Sequence, residues 1–509
     1  MRAPTYPIHR TGFSMRGLFS VVLLVFLLWQ TGCVALEQNP VSGTTRAFAF
    51  TWEQEIQIGR EADQDIVAEF GIYENEELEA YIVELSELIL AESHLRRPEA
   101  SAQFRNTEFT FRLLDSDVVN AFALPGGFVY FTRGLLSHMN NEAQLSVVIG
   151  HEIGHVAARH ASQRMLQQQI GQLVLVGGAF AGQEIFGVDA ESIMNLGGTA
   201  AQLLFLSHSR DHERESDRLG VEYAARAGFD ASEGAAFFRS LQRLSAQHGG
   251  GIPNFMSSHP DPGQREQSMH TLSQQWRDQG FEQTRRNERR FMEMIDGMTI
   301  GENPRNGFVR DAMYFHPELA FQYPVPSGWS VQNMPTQVVM FDNDQQAISI
   351  FTIEQDASNA RAAVDRFTNQ EGITVESSGT QNVGNIRGYR AIATATTQDG
   401  TALRLMVQGL EHNGQVYRFL NYAPAERYEG FQSAFSQIVS GFQTLTDESI
   451  LNIQPARLQV VSADRVGPFS SFLPDQLPPG FTAESFAIMN QVELDETITR
   501  GQRLKLPRP

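Results

Sequence analysis

The stretch VVIGHEIGHVAARHAS, residues 147–162, constrains the fold of this 509-residue chain more than any other. Asn141 can cap a helix here, and Gln144 follows three residues later, as in a capping box. At about 100° per residue, His151 and His155 lie about 40° apart on one side of that helix. Both adjoin its apolar stripe, so the pattern predicts a helix that runs along the edge of a core with the two histidines facing inward.

The pattern H-E-x-x-H runs from His151 to His155 and is typical of two zinc ligands with a general base, here Glu152, between them. A catalytic zinc ion needs a third protein ligand. The segment SHSRDHERESDRLG offers Glu213 as that ligand, with Asp217 on the same helix face to accept the remaining ring N–H of a ligand histidine. Glu215 is a rival that points about 160° away from this face. A surface helix of ion pairs is the other interpretation of the segment.

Three segments occur in order along the chain: NAFALPGGFVYFTRGLL, NNEAQLSVVIGHEIGHVAARH and SRDHERESDRLG. Together they resemble the zinc endopeptidases of peptidase family M48, which include CAAX prenyl proteases, mitochondrial proteases of the Oma type and bacterial β-barrel-assembly-enhancing proteases. The resemblance covers about residues 50–300. It implies one zinc ion per chain, held by His151, His155 and Glu213, the first glutamate of the family motif E-x-E-A-D. Ser216 stands where that motif has alanine.

The resemblance also implies a hydrolase that acts on peptide bonds. Glu152 is then the base that takes a proton from the zinc-bound water and gives it to the leaving amine. His259 is a candidate catalytic group, either as an oxyanion donor or as a fourth ligand that closes the site until substrate displaces it. A surface loop histidine is the alternative. His160, His208 and His212 are assigned structural or surface positions only.

The segment GFVYFT, residues 127–132, is a candidate for substrate binding. We expect it to be an edge strand, to which an extended substrate adds by β-augmentation. An internal strand is the alternative, and the family resemblance favours the edge position. Backbone pairing of this kind recognises unfolded chain rather than a particular sequence.

The N-terminus has the pattern of an export signal. Arg16 precedes the apolar run GLFSVVLLVFLLW, and the small-residue segment QTGCVA follows it. The run is too short to span a bilayer comfortably. Residues 1–32 are therefore predicted to be a signal peptide of the lipoprotein type, with Cys33 as the lipidated first mature residue. Val34 after it favours outer-membrane sorting, and cleavage after Ala35, giving a soluble secreted protein, is the alternative.

The whole chain is predicted to be α+β. A mainly helical, zincin-type peptidase domain with a small β-sheet, residues 50–300, precedes an antiparallel α+β domain, residues 302–446, whose short alternating strands carry no catalytic constellation. Residues 456–507 resemble part of a LysM glycan-binding unit but lack its opening G-D-T. Contact with peptidoglycan is one interpretation of this unit, and a closing module packed on its neighbour is the other.

Acidic residues outnumber basic ones, 59 to 39, which argues against a nucleic-acid partner. The sequence predicts an exported zinc endopeptidase in the periplasm, lipid-anchored to the outer membrane, that degrades misfolded or unassembled envelope proteins. An envelope scaffold, or a chaperone-like assembly factor with latent protease activity and contact with the outer-membrane assembly machinery, is the alternative.

Residues 170–206, rich in glycine and alanine, predict a buried helical pair, with a lid or a membrane-touching hairpin as the alternative.

Overall fold

A computed structural model describes residues 34–177, 208–247, 259, 262–397 and 400–508 of the chain. The predicted signal peptide, the predicted lipid-attachment residue Cys33 and residues 178–206 of the predicted helical pair lie outside these residues. Within the described ranges, no helix combines the length and the apolar character that a membrane crossing requires.

Among the described residues before residue 300, helices predominate and the strands form two small sheets. The helices are α1 (Trp52–Phe70), α2 (Glu76–Ala91), α3 (Ala102–Arg105), α4 (Arg133–Ser137), α5 (Glu142–Ala158), α6 (His160–Gly177), α7 (Arg210–Arg226), α8 (Gly234–Gln247), α9 (Pro262–Asp278) and α10 (Glu288–Ile295). The strands are β1 (Ala35–Gln38), β2 (Thr45–Phe48), β3 (Thr110–Leu114), β4 (Ala121–Leu124) and β5 (Phe128–Thr132).

Helix α5 is buried along its entire length. Its N-terminus is capped as the sequence predicts, because the Asn141 side chain accepts a hydrogen bond from the Gln144 backbone N–H at 3.0 Å. The Gln144 side chain bonds the backbone N–H of Asn140 instead of closing a capping box. A Cβ on Gly150 would lie 2.9 Å from the Cα of Gly220 on α7. Glycine at both positions therefore lets α5 and α7 lie in close contact.

The three-stranded sheet has the order β3-β5-β4. The prediction that GFVYFT is an edge strand is therefore wrong, because these residues form β5, which pairs with β3 on one side and β4 on the other. All five residues of β5 are buried, which accounts for their continuous apolar character. Strand β4 is one edge of this sheet, and the Pro125–Gly127 turn connects it to β5, with φ 79° at Gly126 and 102° at Gly127.

The middle region is antiparallel, as predicted. It contains β6 (Phe308–Arg310), β7 (Met313–His316), β8 (Phe321–Pro324), β9 (Trp329–Asn333), β10 (Gln337–Asp342), β11 (Ile348–Ile353), α11 (Ala360–Thr368), β12 (Ile373–Thr380), β13 (Arg387–Thr396), β14 (Ala402–His412), β15 (Gln415–Pro424), α12 (Tyr428–Ser440) and β16 (Gln443–Thr444). Seven strands form a sheet of order β12-β13-β14-β15-β11-β10-β9, and four form a second of order β16-β8-β7-β6. Aromatic side chains, among them Tyr323, Phe351 and Phe419, fill a separate core.

The last region is small and has little regular structure. It contains α13 (Glu448–Leu451), β17 (Leu458–Ser462), β18 (Gly467–Pro468), α14 (Ala483–Asn490), β19 (Thr497–Ile498) and β20 (Arg503–Pro507). Strands β17 and β20 pair in antiparallel fashion.

The apolar side chains of this last region do not form a core of their own. Leu458, Phe486 and Leu504 belong to the same hydrophobic cluster as the residues of α5. The buried Lys505 donates from Nζ to the backbone carbonyls of Ser137 and Met139, each at 2.7 Å. These contacts support the interpretation of residues 456–507 as a closing module packed on its neighbour.

Candidate metal centre

Four side chains with metal-ligating atoms converge between α5, α7 and the N-terminal end of α9. They are His151 and His155 on α5, Glu213 on α7, and His259 three residues before α9 begins. All four are buried, and their ligand atoms lie within 4.8 Å of one another. The Nε2 atoms of His151 and His155 are each 3.4 Å from a Glu213 carboxylate oxygen. His259 Nδ1 lies 3.1 Å from Glu213 Oε2.

The second ring nitrogen of each α5 histidine contacts another side chain. His151 Nδ1 lies 3.0 Å from Asp217 Oδ1, and His155 Nδ1 lies 3.0 Å from His160 Nδ1. A neutral histidine whose Nδ1–H is donated to such a partner carries its lone pair on Nε2. The two Nε2 atoms then present lone pairs to each other at 2.9 Å. A cation between them relieves this repulsion, so the chemistry of the donor set fits a metal ion.

The buried charges of the site lead to the same conclusion. Glu152, Glu213 and Asp217 are carboxylates, and Arg265 supplies the guanidinium that lies against them, with Nε 2.9 Å from Asp217 Oδ2 and Nη1 3.3 Å from Glu213 Oε2. Three ionised carboxylates and one guanidinium leave two negative charges when the histidines are neutral. Buried charge is costly unless it is compensated. A divalent cation compensates it in full.

The pKa values respond to this concentration of charge. Burial and the Arg265 guanidinium lower the pKa of His151, but hydrogen bonds with Asp217 and Glu213 outweigh them and raise it to about 9. Burial raises the pKa of the Glu213 carboxyl, yet the neighbouring His259 and hydrogen bonds from the three histidines hold it well below its usual range. Both shifts mark a position where positive charge is stabilised beside a carboxylate.

Glu152 lies at this site without being one of its four converging donors. Its carboxylate oxygens accept no hydrogen bond from the described part of the chain, and His259 Nε2 is 3.6 Å from its Oε1. Burial raises the pKa of Glu152. A buried carboxylate with a raised pKa beside a metal site is well suited to take up and release a proton.

The structure brings the predicted metal-site residues together. It adds Arg265, which the sequence analysis did not name, and His160, to which the sequence analysis assigned only a structural or surface position. Arg265 lies on the first turns of α9, and nothing in its sequence surroundings indicates contact with Asp217. His160 follows His151 by nine residues, which would place it on the opposite side of a continuous helix. Helix α5 instead ends at Ala158, and Arg159 adopts a left-handed conformation with φ 61°, which returns His160 to the site. Left-handed conformations are uncommon for residues other than glycine, and the sequence gives no signal for this one.

Residues 90–273 match the family model described as Peptidase family M48. The matched segment contains all four converging donors. We refer to residues 90–273, which this family model matches, as the M48 segment. Within this M48 segment, His151, His155 and Glu213 form the donor set that is typical of zinc binding in the family.

Relatives from bacteria and from mitochondria match parts of the chain. The beta-barrel assembly-enhancing protease of Escherichia coli (strain K12) is 33% identical over 162 residues, which cover 31% of this chain and 33% of that protein. The mitochondrial metalloendopeptidase OMA1 of Bos taurus is 27% identical over 276 residues, 50% of this chain and 49% of that protein. The chain therefore spans a third to a half of the length of these two relatives.

Solved structures also match part of the chain. The cyanobacterial PsbP of Synechocystis sp. PCC 6803 is 15% identical, with a TM-score of 0.23, and the match covers 27% of this chain and 96% of that protein.

Proposed function

We propose that this chain is an exported zinc-dependent endopeptidase that hydrolyses peptide bonds of misfolded or unassembled envelope proteins. The observation that carries the proposal is the buried Glu152 carboxylate, which accepts no hydrogen bond from the described residues and adjoins the donors His151, His155 and Glu213. A scaffold protein has no use for such a base. The names of the relatives, an assembly-enhancing protease and a metalloendopeptidase, support the reaction.

In this proposal the chain's own residues perform three tasks. His151, His155 and Glu213 hold the metal, and Asp217 fixes the orientation of the His151 ring from 3.0 Å. Zinc, when bound, polarises the scissile carbonyl and makes a water molecule acidic enough to lose a proton near neutral pH. Glu152 accepts that proton at its carboxylate and passes it to the leaving amine, a contribution of about 10²–10⁴ in rate.

The edge strand β4 is the proposed binding site for an extended substrate. It has one strand partner within the described residues, β5, and it contacts α5. An extended peptide that pairs with the other side of β4 would be bound through its backbone, as β-augmentation requires. The recognition of unfolded chain, which the sequence analysis assigned to β5, is therefore moved to this neighbouring strand.

His259 is the residue that favours a latent form of the same enzyme. Its Nδ1 lies 3.2 Å from His151 Nε2 and 3.1 Å from Glu213 Oε2. In this position it completes a set of four protein donors, whereas a catalytic zinc site keeps one position for water or substrate. We propose that His259 withdraws when substrate binds, so that the protease is inactive until then.

Location and partners complete the proposal. Lipidation at Cys33 would anchor the enzyme to the periplasmic side of the outer membrane, close to unassembled outer-membrane proteins and their assembly machinery. Contact of residues 456–507 with peptidoglycan stays a prediction of the LysM resemblance.

The decisive experiment measures the cleavage of an unfolded reporter protein by the chain lacking residues 1–33, with bound zinc quantified in the same samples. Glu152→Gln should abolish cleavage and retain about one zinc ion per chain, because Glu152 is not a ligand. The control is Glu142→Gln, which alters a buried glutamate at the other end of α5 and should retain cleavage. Absence of zinc from the parent protein would overturn the proposal.

A second variant separates the active enzyme from the latent one. If the parent protein binds zinc but does not cleave, His259→Ala should increase cleavage, because it removes the donor that closes the site. Parent and His259→Ala proteins that both bind zinc and both fail to cleave would contradict the peptidase function and favour the scaffold.

A further inference from the structure

His160 and Glu215 form a hydrogen-bonded chain behind the metal donor His155. We infer that both are positioning residues, which hold the His155 ring in the orientation and tautomer that metal binding requires; the inference rests on the zinc site proposed above. His155 Nδ1 lies 3.0 Å from His160 Nδ1, and His160 Nε2 lies 3.2 Å from Glu215 Oε2. His160 is fully buried between them.

The direction of each hydrogen bond follows from the way His155 faces the metal site. Its Nε2 points to Glu213 and His151, so Nδ1 must carry the proton. His160 Nδ1 is then the acceptor, and the proton of a neutral His160 must lie on Nε2. That proton is donated to the Glu215 carboxylate, which can only accept. A single arrangement of protons thus satisfies the whole chain.

Ser216 adds a contact to the same nitrogen. Its Oγ lies 3.3 Å from His160 Nδ1, where its hydroxyl can donate to the lone pair that also accepts from His155. Ser216 is the residue that departs from the alanine of the family motif E-x-E-A-D. The departure therefore places one more hydrogen-bond donor on His160.

Helix α7 supports the site with three acidic side chains of different function. Glu213 is a donor itself, and Asp217 contacts His151 directly. Glu215 points away from both along the helix, and for that reason it reaches His155 only through His160. Its side chain is 31% exposed and adjoins Arg218, so this support ends at the surface of the protein.

Other histidines contact the same rings without hydrogen-bonding to them. The ring of His212 stacks on His160 with centroids 4.2 Å apart and planes at 12°. An outer-shell hydrogen bond typically contributes 10–100-fold to metal affinity, whereas stacking sets neither the tautomer nor the ring angle of His155. His212 therefore provides a matched control for packing around His160.

The test is zinc affinity, measured by competition with a chromophoric chelator in the full chain. His160→Phe keeps the ring but removes both hydrogen bonds, and it should weaken zinc binding about 10–100-fold. His160→Asn places an acceptor close to the position of Nδ1 and should recover part of that loss. Glu215→Gln retains an acceptor oxygen without charge and should cause a smaller loss. His212→Phe should bind zinc as the parent does.

The inference is overturned if folded His160→Phe binds zinc as tightly as the parent, or if it loses no more affinity than His212→Phe. Should His160→Phe fail to fold, the half-buried Glu215 decides the matter, because its replacement does not disturb the core. Parental affinity in both Glu215→Gln and Glu215→Ala would then contradict the inference. A parent that binds no zinc would instead refute the proposed function, which keeps the two failures distinct.

Discussion

The region 308–444 and the region 458–507 both follow the M48 segment in the chain, but they bury their apolar side chains in different places. The middle region packs Tyr323, Phe351 and Phe419 into a core of its own. The last region contributes Phe486 and Leu504 to the core that contains the metal-site helix α5. Position along the chain and membership of a core are thus separate properties, and the last region shares its core with the M48 segment.

The largest expected effect of this difference is tested by comparing two phenylalanine truncations by calorimetry. Phe486→Ala and Phe419→Ala each remove a buried ring, at a cost of about 3–5 kcal/mol. We expect Phe486→Ala to lower the temperature of the unfolding transition that zinc shifts upward, because Phe486 belongs to the core that contains the metal-site helix α5. Phe419→Ala should lower a transition that is insensitive to zinc.

Zinc itself identifies the transitions in that experiment. A ligand at 100 times its dissociation constant stabilises the unit that binds it by about 2.7 kcal/mol. Removal of the metal with a chelator should therefore shift one transition and leave the other unchanged. If Phe419→Ala lowered the zinc-sensitive transition as much as Phe486→Ala does, the distinction between the two regions would be lost.

A smaller effect is expected from a change of pH at the contact between the last region and the M48 segment. The carbonyl of His138 accepts a hydrogen bond from Gln491 Nε2 at 2.8 Å. Burial lowers the pKa of the His138 ring to about 4, with Lys505 adding to the shift and the Gly134 carbonyl opposing it. The folded protein therefore favours the neutral ring. The contribution of this preference to the free energy of unfolding is complete above a pH of about 6.5 and is lost as the pH falls toward 4.

The measurement is urea unfolding at pH 7 and pH 5 for the parent and for His138→Asn. We expect the parent to lose about 2 kcal/mol more than the variant over this interval, since Asn does not ionise but can donate to the Gly134 carbonyl. Other acid-sensitive groups affect both proteins equally. Equal pH dependence of the two proteins would rule out the role of His138.

The smallest effect is expected at Lys505. Lys505→Met removes the donor to the Ser137 and Met139 carbonyls, a loss partly offset because a buried amine is no longer desolvated. We expect a net destabilisation of about 1 kcal/mol in the zinc-sensitive transition. Arg503→Met, on the same strand, should change stability by less than about 0.5 kcal/mol. Equal effects of the two variants would mean that the Lys505 contact does not help to hold the last region in place.

The sequence predicted the parts of this molecule that depend on local spacing. The positions of His151 and His155 on one helix, and of Glu213 and Asp217 on another, follow from the helical repeat, and the structure brings them together. The contact of His160 with His155 could not be predicted, because it depends on the left-handed backbone conformation of Arg159. That residue is held by long-range contacts with Glu55 at 2.7 Å and with other N-terminal groups.

Strand order and core membership also could not be predicted from the sequence. A run of apolar residues such as GFVYFT indicates a strand but not its neighbours, and β5 proved to be central. Phe486 shows the same limit for packing, since its short helix is consistent both with an independent unit and with one docked on α8. Tertiary contacts, such as those of Ser240 and Arg243 with the last region, are needed to distinguish these cases.

Lys505 is the only lysine of the sequence, and it is fully buried. Amine-reactive esters therefore meet no exposed lysine side chain on the folded protein, and any that modify Lys505 must do so after β20 has separated from the residues that cover it. The rate of that modification would report how often the last region undocks. Lys505 is thus a natural labelling site for measuring how the last region undocks, and no residue has to be engineered for this purpose.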